Sequence, residues 1–169
     1  MRKQQKGFSL IELLIVVAII LIIAAIAIPN LMRARMAAND SSAAGSEHTI
    51  IVAEVGYFGA YPVTGYATLA ALGGAATPCI PAIANGCLID NNLATNGGGA
   101  GKSGFTFAAT PGGTALTGFN YYTTATPVAN VTGTREYCAA DDGVLRVTTG
   151  FGPVAGSYAA CLGWTPSQN

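Results

Sequence analysis

The first thirty or so residues constrain this chain most. Three basic side chains precede Gly7: Arg2, Lys3 and Lys6. From Leu13 to Ile28 no polar side chain occurs. The stretch from Phe8 to Ile28 would span about 31 Å as an α-helix, close to the roughly 30 Å hydrocarbon core of a bilayer. Because lipid offers no partner for backbone amides, the run predicts a membrane-spanning helix.

The position of the small residue Gly7 separates this segment from an ordinary secretory signal. Such a signal has a shorter apolar core, followed by its cleavage site, whereas Gly7 comes before the apolar run. Residues 7–12 read G-F-S-L-I-E, matching the G-F-x-x-x-E leader of prepilins. Over residues 1–62 the chain therefore resembles type IV prepilins and the related pseudopilins of type II secretion systems.

The resemblance implies how the protein is processed, inserted in the membrane and assembled. A prepilin peptidase would cut between Gly7 and Phe8 and methylate the new amine of Phe8. The chain would cross the inner (cytoplasmic) membrane once with its amino terminus in the cytoplasm, surrounded by lipid until assembly. An inner-membrane platform and an assembly ATPase would then add it to a helical filament of its own copies, outside the cell or in the periplasm. The charges flanking the apolar run support this orientation only weakly.

Glu12 is the one carboxylate in the apolar segment. A charge at the bilayer centre costs roughly 2.5–3.5 kcal/mol, and less near an end. One interpretation is an acid at headgroup level. The other, which we favour, is that Glu12 pairs with the Phe8 amine, as the resemblance implies for neighbouring subunits during assembly. Such a pair would set register more than add stability.

The helix is expected to continue to about Tyr61, where Tyr61-Pro62 ends it. Pro29 should kink it or break it locally, and the resemblance makes Pro29 a packing feature of filaments. Residues 31–61 are predicted to form an amphipathic half, with a buried stripe of Ile51, Val55 and Phe58.

Beyond residue 74 the composition shifts to Gly, Ala, Thr, Asn and Pro. A short helix is predicted at Thr68–Leu72, and Asp141-Asp142-Gly143 is a hairpin-turn signal. About four strands are predicted: Gly104–Ala109, Gly118–Thr124, Thr134–Ala139 and Val144–Thr148. The expected fold is α+β, a long helical spine on a small antiparallel sheet. The expected segments are a leader (1–7), a transmembrane and polymerisation helix (8–30), the amphipathic half (31–61) and a globular head (62–169).

Four cysteines lie on the exported side, an even number that reads as two disulfides in an oxidising compartment. Three connectivities are possible. We favour Cys79–Cys87 and Cys138–Cys161, the nearest neighbours in sequence. A zinc site would need closer ligand pairs.

The remaining composition argues against several functions. Without residues 1–7, five basic side chains face eight acidic ones, so no basic patch indicates nucleic-acid binding. Residues 97–103, G-G-G-A-G-K-S, lack the first glycine of a phosphate-binding loop. The single histidine, His48, is expected to be solvated or a subunit contact and allows no catalytic triad. Asp90, Asp141 and Asp142 lack the spacing of a calcium loop.

We therefore predict a structural subunit, not an enzyme, without cofactor or metal. The resemblance implies a surface filament for adhesion, motility or DNA uptake. The first alternative is a type II secretion pseudopilin, over which the tail cysteines favour a pilus. The second is a membrane-tethered binding protein that does not polymerise.

Overall fold

The computed structural model describes residues 8–74, 78–149 and 155–167. The chain divides into two compact units, one ending at Arg35 and the other beginning at Met36. Gly7 lies outside the described residues. The elements in chain order are α1 (Leu10–Ala60), α2 (Leu69–Leu72), α3 (Asn91–Ala94), a 3₁₀ turn (Gly97–Gly99), β1 (Phe105–Thr114), β2 (Gly118–Pro127), β3 (Arg135–Ala140), β4 (Leu145–Thr149), α4 (Tyr158–Leu162) and β5 (Thr165–Pro166).

Helix α1 spans 51 residues and ends one residue before Tyr61-Pro62. The residue before a proline is pushed out of helical geometry, which accounts for this end. The helix passes through Pro29 without interruption, so the predicted local break is not present. Pro29 removes one amide donor from a long hydrogen-bonded ladder, and the turns on either side keep the helix continuous.

The five strands form one antiparallel sheet in the order β1-β2-β3-β4-β5, which confirms the α+β prediction. Strands β1 and β2 pair along their whole length, from Phe105 opposite Pro127 to Thr114 opposite Gly118. Strand β3 pairs with only four residues of β2, beginning at Tyr122. The turn at Asp141-Asp142-Gly143 joins β3 to β4 as predicted.

The sheet extends beyond the prediction at both edges. Strand β1 continues past Ala109 through Pro111 to Thr114, whereas the sequence suggested an end at Ala109. Proline is tolerated there because β1 is an edge strand, where a missing amide donor breaks no ladder. The opposite edge carries β5, two residues that the sequence did not indicate.

The outer edge of β1 is partly covered by the glycine-rich loop before it. The side chain of Asn96 bonds to both backbone groups of Phe107. Its Nδ2 donates to the Phe107 carbonyl at 2.8 Å, and its Oδ1 accepts from the Phe107 amide at 2.6 Å. Lys102 makes the equivalent backbone pair with Phe105. Two positions of this edge are thus already hydrogen-bonded.

The core lies between residues 43–57 of α1 and the sheet. Ala43, Ile50 and Tyr57 on the helix belong to one buried cluster with side chains of β1, β3 and β4, among them Phe105, Tyr137 and Leu145.

The predicted helix stripe is wrong in part. Ile51 is buried and Phe58 half-buried, but Val55 is 61% exposed. The buried face is rotated and includes Glu47 and Glu54, both fully buried. Because carboxylates are rarely fully buried, an apolar pattern along the helix does not indicate this face.

Candidate functional site

The amino-terminal half of α1 is an apolar surface without partners in the described protein. Its large side chains are exposed throughout, with Leu10 at 75% and Leu21 at 63%, as is Phe8 just before the helix at 88%. The helix contains an 18-residue window of mean hydropathy 3.3, none of it buried, and is long and apolar enough to cross a membrane. A contiguous apolar face of this size marks a membrane or protein contact.

Glu12 caps its own helix. The amide of Ser9 donates to Glu12 Oε2 at 3.1 Å, while the Ser9 carbonyl accepts from the Leu13 amide at 3.3 Å. This is the back-reaching half of a capping box, in which a Glu three residues into the helix satisfies the first amide. The negative charge also lies favourably at the positive end of the helix dipole.

This capping role was not predicted, although Ser9-Leu10-Ile11-Glu12 carries its S-x-x-E signature ahead of an apolar run. Within the described residues, the second oxygen of Glu12 makes no hydrogen bond. The local structure therefore uses one carboxylate oxygen and leaves the other for a further donor. Capping and pairing with an amine are compatible roles for the same group.

Pro29 lies in the same exposed apolar half of the helix. It supplies no amide to the carbonyl of Ala25, which leaves that helical acceptor without its usual donor.

The second half of α1 is held to the head by acidic side chains. Asp40 Oδ2 accepts from the Thr134 hydroxyl at 2.6 Å, and its Oδ1 accepts from the Thr134 amide at 3.0 Å. Next to it, Asn39 Nδ2 donates to the Thr132 carbonyl at 2.7 Å. These contacts fix the start of the head's helix against the β2–β3 connection.

Glu47 and Glu54 occupy the buried face further along. The hydroxyl of Thr123 donates to Glu47 Oε2 at 2.5 Å, and the amide of Ala67 donates to Glu54 Oε2 at 2.9 Å. Burial raises the pKa of Glu47 to about 8, against which the Thr123 hydrogen bond acts. Burial likewise raises the pKa of Glu54 to about 7, against the Ala67 amide.

Two disulfides close loops of the head. Cys138 and Cys161 are bonded, with Cα atoms 5.9 Å apart and both side chains fully buried, and this predicted pairing is confirmed. The bond anchors the tail, since Cys161 lies on α4 and packs with Trp164 in a small separate cluster. The structure also bonds Cys79 to Cys87, both half-buried, next to Gly74.

The three candidate calcium aspartates have protein partners. Asp90 Oδ1 accepts from the Leu93 amide at 2.9 Å, capping α3, and Asp90 also pairs with Lys102 at 3.6 Å. Asp141 accepts from the hydroxyl of Tyr158 at 2.6 Å. Asp142 forms an ion pair with Arg146, and this guanidinium lowers the pKa of Asp142.

The glycine-rich segment is not built like a phosphate-binding loop. Gly97–Gly99 form a 3₁₀ turn entered from Asn96 in left-handed geometry. Strand β1 follows, not the helix that phosphate binding would need. His48 is exposed on α1. Among residues 8–74, 78–149 and 155–167, no group of three His, Cys, Asp or Glu side chains could hold a metal ion.

Comparison with known proteins assigns the amino-terminal segment. Residues 2–28 match the family model described as the prokaryotic N-terminal methylation motif. The chain is also 64% identical over 39 residues to the type IV wide pilus major component PilA4 of Thermus thermophilus. That match covers 23% of this chain and 30% of the relative, so the chain spans less than a third of the curated protein it matches. No solved structure matches the chain.

Proposed function

We propose that this chain, whose residues 2–28 match the prokaryotic N-terminal methylation motif, is a type IV pilin-like structural subunit of a cell-surface filament. The observation that carries the proposal is one continuous helix, Leu10–Ala60, with an apolar exposed first half and a second half built into a folded head. A helix of this kind can exchange lipid for the helices of neighbouring copies.

The proposed path begins in the inner membrane, with the amino terminus in the cytoplasm and the head outside. A prepilin peptidase cuts between Gly7 and Phe8 and methylates Phe8. An assembly platform and its ATPase then move the subunit from lipid into the filament. Because both surroundings are apolar, hydrophobic transfer contributes little, and close packing together with polar pairing must drive helix association.

In this proposal Glu12 has two partners. One oxygen keeps the Ser9 amide of its own helix, and the other accepts from the methylated amine of Phe8 on a neighbouring subunit. A charge that is paired in a low-dielectric surrounding is tolerated, whereas the same charge unpaired is costly. The pair therefore favours the one axial register in which the two charges meet.

The test compares Glu12→Ala with Glu12→Gln. Glutamine retains an oxygen that can accept from the Ser9 amide, but it lacks the negative charge. Both variants should insert in the membrane and be cleaved after Gly7 as the wild type is, since a costly charge has been removed. Both should fail to form filaments. The assay counts the filaments sheared from the cells and, in the same cultures, measures the amount of subunit that remains in the membrane.

Matched outcomes separate the roles of Glu12. Filaments from Glu12→Gln but not from Glu12→Ala would mean that capping, not charge, is required. Normal filament yield from both variants would reject the role of Glu12 in assembly. Absence of filaments from the wild type as well would support a tethered protein that does not polymerise. Long surface fibres in electron micrographs, lost when the gene is deleted, would favour a pilus over a secretion pseudopilin.

A further inference from the structure

The contact face between α1 and the sheet contains two carboxyl groups at core positions. Five of its buried helix residues recur at intervals of three and four, the spacing of one helical face: Ala43, Glu47, Ile50, Glu54 and Tyr57. Glu47 and Glu54 are thus two turns apart and face the same way. Both have 0% exposure, as do Ala43 and Ile50 beside them. We call these five residues the seam.

Each seam carboxyl has one oxygen that is hydrogen-bonded and one that has no partner among the residues that the structure describes. Oε2 of Glu47 and Oε2 of Glu54 accept from Thr123 and Ala67 respectively. Oε1 of both, together with the hydroxyl of Tyr121 on β2, has no hydrogen-bond partner within the described residues. A buried carboxylate with one bare oxygen is costly, whereas its protonated form is neutral.

No positive charge compensates the pair in the described part of the chain. Lys102 pairs with Asp90, and Arg146 pairs with Asp142. Arg135, on β3, interacts with the side chain of Tyr137 by a hydrogen bond and by its charge. These basic groups of the head therefore have other partners.

The titratable groups around the seam are themselves acidic or phenolic. Tyr57 is on α1, Tyr66 is in the loop that follows it, and Tyr121 is on β2. Burial raises the pKa of Tyr121, and the charges of Glu54 and Glu47 raise it further. Strand β3 contributes Tyr137, which belongs to the same buried cluster as Ile50 and Tyr57, and the turn after it contributes Asp141. Any charge that develops on the seam meets groups of the same sign.

We propose that the seam is a proton-dependent clamp, in which protonated Glu47 and Glu54 hold the second half of α1 on the sheet and their ionisation loosens it. The protonated carboxyl packs among apolar neighbours and keeps its hydrogen bond. The carboxylate leaves an uncompensated charge in the core, which the head relieves by opening the seam to water.

The pKa values of the two groups determine how the stability of the head changes with pH. Burial raises the pKa of Glu47 to about 8 and that of Glu54 to about 7, from 4.5 in an unfolded chain. Between these limits the folded head binds more protons than the unfolded chain, so stability falls as pH rises. The clamp is fully closed below pH 4.5 and loses its contribution once the pH exceeds the folded values.

The test is denaturant unfolding of the full chain in non-ionic micelles, from pH 5 to pH 9. The fluorescence of Trp164, the single tryptophan, reports on the head. For each titrating group the unfolding equilibrium constant should rise by up to about tenfold per pH unit. The wild-type midpoint should therefore fall steadily between about pH 5 and pH 8.

Two variants separate the clamp from general pH effects. The double variant Glu47→Gln/Glu54→Gln should have a nearly constant midpoint over this range, because neither amide titrates. Glu12→Gln, which removes an exposed carboxylate outside the head, should retain the wild-type slope. A flat wild-type profile, or a slope that survives the double substitution, would overturn the proposal.

A direct measurement covers the case in which the double variant does not fold. Glutamate ¹³C-labelled at the side-chain carboxyl allows each group to be titrated by NMR in the wild-type chain. Two carboxyl resonances should titrate above pH 6. Titration of every glutamate below pH 5 would reject the clamp.

Discussion

Removal of the Cys138–Cys161 disulfide should loosen the tail and destabilise the head. The bond spans a sequence separation of 23, and closing a loop of about 24 residues contributes about 3.4 kcal/mol on the chain-entropy model. Without it, the tail keeps a short set of contacts: β5 pairs with β4 at two positions, Ser167 donates to Leu145, and Tyr158 donates to Asp141.

The assay is urea unfolding of the double variant Cys138→Ala/Cys161→Ala, followed by Trp164 fluorescence. With a denaturant slope of about 2 kcal/mol per M, the midpoint should fall by about 1.7 M. The matched control is Cys79→Ala/Cys87→Ala, whose bond has a sequence separation of 8 and on the same model contributes about 2.6 kcal/mol.

The ranking of the two variants tests the reasoning. The Cys138–Cys161 variant should be the less stable of the two. The difference in the free energy of unfolding should exceed the difference in loop entropy, because Cys138 and Cys161 are fully buried and their substitution also removes packing contacts. A midpoint unchanged from wild type, with the bond confirmed by peptide mapping in the wild type, would refute the view that this disulfide anchors the tail.

Three further predictions concern cleavage of the leader and the space around two glycines. Mass spectrometry of protein from membranes or filaments should find a chain that begins at methylated Phe8, and a bulky substitution at Gly7 should block this; an intact leader in a competent host would count against processing. Gly45→Ala should raise the free energy of unfolding by about 0.5–1 kcal/mol, because the helical site is open. Gly73→Ala should instead destabilise the head, because the added Cβ would lie 2.3 Å from Ala94 Cβ; thermal melts of both variants measure the difference.

The sequence predicted the elements whose signals are local. The apolar run defined α1, Pro62 its end, and Asp141-Asp142-Gly143 the β3–β4 turn. The short helix α2 was also predicted, and the Thr68 hydroxyl caps it by accepting from the Ala71 amide. In each of these cases a few neighbouring residues determine the backbone.

What the sequence did not predict depends on distant partners. The outer half of β1 lies beyond the predicted end at Ala109. It contains Pro111 and two glycines, which are poor strand formers, and its strand geometry depends on the pairing with β2. The small strand β5 depends on β4 in the same way. The seam was not predicted for a chemical reason. Carboxylates are rarely fully buried, and only the folded head brings Thr123 and Ala67 to Glu47 and Glu54.

The covered edge of β1 has a consequence for a protein proposed to polymerise. An exposed strand edge is a template on which a second chain can add a strand, and crowding of identical heads along a fibre would favour such pairing. Asn96 and Lys102 already bond to this edge at Phe107 and Phe105, and Pro111 offers no donor further along. Strand addition between heads is thereby discouraged, so under the proposed function the apolar helix would be the surface through which copies join.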